Sequence, residues 1–505
     1  MGRERMKMSR RQVLIILNII LLTFLTHVYF ITRYDFNWLE WDTATTTRSI
    51  VSMQSEAILV PTRAYPAGFS YEFIASSASS IMDVDIQTLQ QIVFPITYGV
   101  VPVLIAICFY RSMLKGKHDW IASSLLLILI PEFIMVSSRG THEKSSMILI
   151  MTLLLMVAIW IRRNNISSRP PIPFIAAAFV MISAIVFTNC FFAVSFFIVL
   201  AIAQPVAVKL GEIKRSRDFL SIPLFGLACT GAFLLLYRPA STLVATASTY
   251  WQKLALILSG QETPAEPYSS ISAAWTSTSA WTATNLLTFF LIGFSAGYIA
   301  YSLLLKRNQE SIGTTEALYL GATGMLLVFV ILDYVGGSSI SNLQLRWLPF
   351  WGITAAPAAY RGALLAGRTH LRSIPRRGLV LMLGLAIAIV LSLSLLRATL
   401  DPSISNRWIY YSDAEDYSID WINQTCSGNA WGGIDYRTGS LFVFDHGFPQ
   451  NPSLKFVTAE NPSGLGIVLD SDLSALQADH LDLNLQSLAS WNRVMDIGKA
   501  SVLMD

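Results

Sequence analysis

The chain opens on a basic segment, "MGRERMKMSRR", and passes straight into "VLIILNIILLTFLTHVYFI". Apolar blocks of this kind recur along residues 11–397, each close to the ~20 residues that span a bilayer. The pattern places spans at Val13–Ile31, Leu89–Tyr110, Trp120–Val136, Ser146–Ile161, Pro173–Phe187 and Phe191–Val208. Further spans are expected at Phe219–Tyr237, Leu286–Leu305, Leu318–Val335, Trp347–Tyr360 and Gly378–Leu396. The fifth and sixth are short enough for a re-entrant pair. Beyond them the long apolar blocks end. There "DAEDYSIDWINQT" predicts an amphipathic helix, "GSLFVFDHGF" and "LGIVLD" predict strands, and "NRVMDIGKASVLMD" predicts a hairpin turning at Gly498. The expected fold is an all-α polytopic membrane bundle of about eleven transmembrane helices over residues 1–397. A small C-terminal α/β domain is expected over residues 398–505.

Composition agrees: 53% of the 505 residues are hydrophobic and only 13% charged, about half the charged share of a soluble protein. A net charge of +4 gives no reason to expect a nucleic-acid partner. The distribution of charge says more. Lysines and arginines crowd Arg3–Arg11, Arg111–Lys117, Arg162–Arg169, Lys209–Arg217, Lys306–Arg307 and Arg361–Arg377, on one alternating set of connections. The positive-inside rule then sets the N-terminus in the cytoplasm of a multi-pass plasma-membrane protein. Residues 32–88, 238–285 and the C-terminal domain are extracytoplasmic on this reckoning. No small-residue cleavage site follows the first span, which reads as a retained signal-anchor. Cys108, Cys190, Cys229 and Cys426 lie far apart, indicating neither a zinc site nor a disulfide framework.

The first outer segment begins "RYDFNWLEWDT", with Asp35, Glu40 and Asp42 beside Trp38 and Trp41. The tryptophans suit headgroup depth. The plain account has Asp42 capping a helix that starts at Thr43 and Glu40 solvated. The other account is chemical. A carboxylate at headgroup depth can take the proton from a hydroxyl attacking a sugar held on a polyprenyl phosphate. A neighbouring acid would raise its pKa, or the two would share a divalent cation. A phosphate leaving group calls for a cation at the same surface. Arg63, Arg139, Arg238 and Arg346 all fall at outer ends of spans. Arg346, in "SNLQLRWLPFWG", is either a bidentate phosphate grip or an interface anchor. Arg139 shares the loop "SSRGTHEKSS" with His142 and Glu143, where His142 reads first as a loop residue. In "FTNCFF", Thr188 and Asn189 form a tight turn or a polar contact to sugar.

After the acids come "YPAGF", beginning at Tyr65, and "SYEFIASSASSIM", too short to span and suited to the interface. An ExD arrangement after the first span, "YPAGF", an interfacial helix, a multi-span bundle and an outer α/β tail together resemble the GT-C superfamily of integral-membrane glycosyltransferases. The resemblance is to uncharacterised archaeal and bacterial members of the dolichyl-phosphate-mannose-dependent kind. It implies inverting transfer of a sugar, typically a hexose, from a polyprenyl-phosphate-linked lipid donor on the outer face. The superfamily's acid pair falls on Glu40 and Asp42 as catalytic groups. Asp35, Arg63, Tyr65, Arg139, His142, Asn189 and Arg346 are the substrate-binding candidates. No cofactor is expected to be required, since arginine alone can assist a single-phosphate leaving group. Mg²⁺ or Mn²⁺ is the cation the acid pair would take. The "WWDYG" motif of oligosaccharyltransferases is missing, with only "NAWGGID" in its place, so the acceptor stays open among glycan, lipid and protein. Two other functions fit the same blocks: a transporter or lipid-carrier flippase, and a non-catalytic membrane protein that binds a partner through its tail.

Overall fold

The computed structural model describes residues 9–33, 36–38, 41–56, 65–114, 116, 118–164, 172–210, 217–261, 278–304, 323–324, 343–367, 376–399, 409–425, 430–432, 454–456, 465–469, 492–498 and 500–504. The expected span Leu318–Val335 and the expected strand "GSLFVFDHGF" fall outside them, apart from residues 323–324.

Helix α1, Arg10–Thr32, starts on a capping box in which Ser9 and Gln12 bond each other's backbone. Helices α2, Trp41–Glu56, and α3, Ser70–Met82, follow. Helix α4, Ile86–Met113, contains a π-turn at Leu89–Val93. Helices α5, Asp119–Ile128, α6, Pro131–Ser138, and α7, His142–Asn164, continue the chain. Next are α8, Ile172–Thr188, α9, Cys190–Leu210, and α10, Arg217–Leu236. Helices α11, Ser241–Leu258, and α12, Thr278–Thr284, lie where the sequence suggested only a long connection. The bundle closes with α13, Leu286–Leu304, α14, Leu343–Gly367, and α15, Arg376–Ala398. Helix α4 packs on α1 and α7, α13 on α14, and α9 on α10.

Among the described residues, four helices are long and apolar enough to cross a membrane: α1, α4, the His142–Trp160 part of α7, and the Leu381–Ala398 part of α15. Four more are apolar but shorter. These helices mark a membrane protein.

Two expectations need correction. The span Trp120–Val136 is not one rod, because α5 and α6 meet at 63°. Pro131 supplies no amide hydrogen and pushes Ile130 into an extended conformation, φ −72°, ψ 118°. The Leu129 carbonyl instead accepts from Ser394 Oγ of α15 at 2.5 Å, which keeps the break satisfied inside the bundle. The second correction concerns "SSRGTHEKSS". His142 is no loop residue. It begins α7, and His142, Glu143 and Lys144 are all buried.

In the tail, helix α16, Asp413–Thr425, accompanies strands β1, Ala430–Gly432, β2, Leu454–Phe456, β3, Leu465–Leu469, β4, Asn492–Asp496, and β5, Ala500–Met504. The sheet order is β2-β1-β3-β5-β4. Strand β1 runs parallel to β2 and β3, while β5 is antiparallel to β3 and β4. Gly498 turns the β4–β5 hairpin at φ 81°, in the left-handed region that a side chain disfavours.

Candidate active site

The site grows from the segment between α1 and α2. Trp38 packs edge-on against Phe30, with ring centroids 5.4 Å apart, and pairs with Tyr410 in an antiparallel bridge. Its indole donates to the Gln91 carbonyl at 3.3 Å, and Gln91 Nε2 donates back to the Trp38 carbonyl at 2.9 Å. Gln91 lies in the π-turn of α4, a distortion common at functional sites. Asn37 Nδ2 donates to Asp413 of α16 at 2.6 Å. The loop before α2 is thus held both by the bundle and by the beginning of the tail.

Asp42 enters the first turn of α2, where the helix dipole favours an anion. Its Oδ2 accepts from Arg139 Nη2 at 2.5 Å. The Arg139 side chain is 8% exposed and that of Asp42 35%, so the pair is anchored on one side and reachable on the other. One residue along, the Gly140 amide donates to Thr43 Oγ1 at 2.9 Å. A Cβ on Gly140 would stand 2.6 Å from the Thr43 methyl and 2.7 Å from Gln90 Oε1. Glycine is what lets the α6–α7 connection close on the start of α2.

Immediately beyond, residues of "YPAGF" and α3 meet the beginning of α7. The Tyr65 ring stacks on the His142 imidazole at 4.1 Å, 17° from parallel. His142 Nδ1 lies 3.2 Å from the Thr188 carbonyl, an acceptor only, so Nδ1 is the donor. Its Nε2 stands 3.1 Å from Glu72 Oε1, and both side chains are almost wholly buried. Next to them, Lys144 Nζ sits 4.9 to 5.3 Å from the rings of Tyr98, Phe94 and Tyr71, a cation–π enclosure. Tyr71 donates to Gln90 Oε1 at 2.6 Å. Burial, above all, pushes the Tyr71 phenol well above its usual range.

"YPAGF" itself is clamped to the α8–α9 junction. The Phe69 amide donates to the Phe187 carbonyl at 2.8 Å, and the Cys190 amide to that of Ala67 at 2.6 Å. A Cβ on Gly68 would lie 2.4 Å from the Phe187 and Thr188 carbonyl oxygens. An apolar groove of about 450 Å³ opens beside this clamp, lined by Phe69, Phe179, Phe187, Phe233 and Tyr237 among others. The Tyr237 hydroxyl donates to the Tyr65 carbonyl at 2.9 Å, joining the groove wall to the polar cluster.

Of the sequence candidates, Asp42, Tyr65, Arg139 and His142 come together here. Asn189 is at the same junction but buried, its Oδ1 accepting from the Phe192 amide at 3.2 Å as the cap of α9. Asp35, Glu40 and Arg63 lie outside the described residues, as does the Arg346 side chain on α14. Among the described residues no group of three or more His, Cys, Asp or Glu gathers as metal ligands would. Sequence reasoning did not single out Glu72 or Lys144. A lone acid inside "SYEFIASSASSIM" is the one signal that pointed to the first.

No family model and no curated protein matches this chain. Solved structures do match. The archaeal oligosaccharyltransferase AglB from Archaeoglobus fulgidus, in complex with an inhibitory peptide and a dolichol-phosphate, aligns with TM-score 0.51 at 13% identity. The alignment covers 83% of this chain and 59% of that one. An Archaeoglobus fulgidus oligosaccharyltransferase in its apo form gives TM-score 0.50 at 13% identity, over 81% of this chain and 58% of that one. ArnT from Cupriavidus metallidurans, bound to undecaprenyl phosphate, aligns over 98% of both chains at 12% identity and TM-score 0.48. The chain spans under three fifths of the length of the oligosaccharyltransferase structures, and the likeness is one of fold. In fold, this chain is similar to the archaeal oligosaccharyltransferase AglB.

Proposed function

We propose that this protein is a membrane glycosyltransferase that moves a sugar from a polyprenyl-phosphate carrier to an acceptor hydroxyl, inverting the anomeric carbon, on the extracytoplasmic face. The observation that carries this reading is the contact of Asp42 with Arg139: a carboxylate and a guanidinium side by side where the first turn of α2 meets the α6–α7 connection. The carboxylate is the acceptor for the hydroxyl proton, with Glu40 two residues earlier as its partner acid. As that proton leaves, the acceptor oxygen bonds to the anomeric carbon from the face opposite the phosphate, and the carbon–oxygen bond to phosphate breaks. The negative charge that grows on the departing polyprenyl phosphate falls to Arg139, whose planar fork matches phosphate oxygens.

The aromatic groove beside "YPAGF" suits the donor's isoprenoid chain, and the Tyr237-to-Tyr65 hydrogen bond that joins its wall to the polar cluster supports a donor phosphate on the Tyr65 side. That the similar AglB structure holds a dolichol-phosphate supports a lipid of this class. The N-terminus is cytoplasmic in this proposal, and residues 398–505 form an extracytoplasmic α/β domain held against the loop before α2. Acceptor and sugar are to be identified by experiment. The direct test is transfer from a radiolabelled polyprenyl-phosphate sugar by protein reconstituted in liposomes, comparing wild type with Asp42→Asn and Glu40→Gln. Loss of turnover in either variant with intact folding is expected. Wild-type rates in both remove these acids from the mechanism.

A further inference from the structure

A second cavity lies at the opposite end of α1. Its polar end lies at the start of that helix, whose 23 residues at ~1.5 Å each make a rod about 35 Å long. The cavity encloses about 730 Å³ between α1, α5, α13, α14 and α15, within the ~300–1,000 Å³ typical of small-ligand sites. Its walls are apolar, including Leu125, Leu126, Phe290, Leu364 and Leu383. Leu383 is also 59% exposed, so one wall opens sideways to where lipid chains run.

The polar residues of the lining are Ser9, Arg11 and Gln12 from the start of α1, His118 before α5, and Tyr360 on the α14 wall. Ser9 and Gln12 already bond each other in the capping box, which leaves Arg11 and His118 as the groups at the rim that a ligand would engage. The carboxylate nearest in the chain, Asp119, accepts from Arg361 Nη2 at 3.1 Å, and the same guanidinium also bonds the Tyr298 hydroxyl at 3.2 Å. Its charge is met within the protein, and the Arg11 guanidinium keeps the rim cationic. The sequence adds Arg10 to this end.

A cationic rim over an apolar pocket at the end of a membrane helix is complementary to one molecule: a phospholipid with an anionic headgroup. By the distribution of lysine and arginine this is the cytoplasmic end, where anionic lipids lie in many membranes. We infer that this cavity binds one anionic phospholipid, its phosphate at Arg11 and His118 and an acyl chain between α5 and α15. The site is separate from the transfer chemistry, and its occupant acts as a structural lipid that fills the base of the bundle.

Purified full-length protein, delipidated in detergent and then offered phosphatidylglycerol or phosphatidylcholine, tests this by native mass spectrometry. Phosphatidylglycerol should persist as a single bound lipid, at least tenfold above phosphatidylcholine. The double variant Arg11→Gln, His118→Gln should abolish that preference, and Ala122→Trp, which puts an indole into the cavity, should remove the bound lipid. Equal retention of the two lipids by wild type overturns the inference. Should a variant fail to fold, wild type alone decides: a photoactivatable acyl chain on phosphatidylglycerol should crosslink to residues 118–126 or 383–387. Crosslinks confined to other segments overturn it as well.

Discussion

Arg139 and Asp42 meet Nη2 to Oδ2 at 2.5 Å although 97 residues of chain separate them. The contact joins the α6–α7 connection to the first turn of α2, and the Gly140-to-Thr43 hydrogen bond repeats the join one residue later. If Arg139 meets the donor phosphate, keeping its charge while losing its fork should weaken donor binding more than it slows chemistry. Arg139→Lys is therefore expected to raise KM for the polyprenyl donor about tenfold with kcat changed less. Asp42→Asn should instead lower kcat by about 10²–10⁴, the usual share of a general base. Steady-state kinetics over a donor series separates the two roles. A lysine variant with unchanged KM would remove Arg139 from phosphate binding.

The Glu72–His142 contact makes a different demand. With Nδ1 donating to the Thr188 carbonyl, the 3.1 Å approach of Nε2 to Glu72 Oε1 needs one proton between them. Imidazolium facing carboxylate and imidazole facing carboxylic acid both satisfy it. Glu72→Gln can still offer a hydrogen-bonding amide in the same space, so its unfolding free energy should stay within about 1.5 kcal/mol of wild type. Glu72→Ala leaves a cavity and strands His142 in a buried site, and should cost about 3–5 kcal/mol. Thermal unfolding in detergent reads both. Equal losses would show that volume, not the shared proton, matters at this position.

The helices were legible because apolar blocks of bilayer length leave little choice of structure, and α4, α8 to α10 and α13 to α15 lie where those blocks fall. The bend between α5 and α6 was also written in the sequence, at Pro131, but hydropathy averages over a single proline. Asp42, Arg139, His142 and Tyr65 stood out as polar or aromatic residues near span ends, yet their partnerships did not. Tyr65 stacks on a residue 77 positions away, and Glu72 faces one 70 positions away; no periodicity encodes such pairings. Burial of Glu72, His142 and Lys144 depends on α3 folding back over the beginning of α7. Taken alone, the composition of α3 suggested a helix lying at the interface.

Gly99 gives a packing test away from the chemistry. A Cβ there would lie 2.5 Å from Cε1 of the His27 ring. That ring cannot swing aside freely, because Nδ1 is 2.8 Å from the Thr23 carbonyl and Nε2 is 2.7 Å from Ser137 Oγ. Gly99→Ala should therefore push α1 from α4 and cost about 1–3 kcal/mol. The double variant Gly99→Ala, His27→Ala should recover part of that loss. If the alanine variant melts at the wild-type temperature, the α1–α4 interface is looser than these distances imply.

Asp85 offers a prediction in pH. It precedes α4, and its Oδ1 accepts from the Thr88 amide at 2.7 Å, the N-cap geometry. Hydrogen bonds from Thr88, side chain first and then backbone, hold its carboxyl below the usual carboxylate range. A carboxyl whose folded pKa is depressed stabilises the fold above its unfolded value, near ~3.9. That contribution shrinks as pH falls through the folded value, because the proton binds the unfolded chain more tightly. Asp85→Ala should thus cost about 1 kcal/mol at neutral pH, and the gap between variant and wild type should narrow as the medium is acidified below about pH 4. Melting curves at pH 7 and pH 3.5, for both proteins in the same detergent, measure that gap. If it is as wide at pH 3.5 as at pH 7, the loss lies in packing and the charged cap contributes nothing.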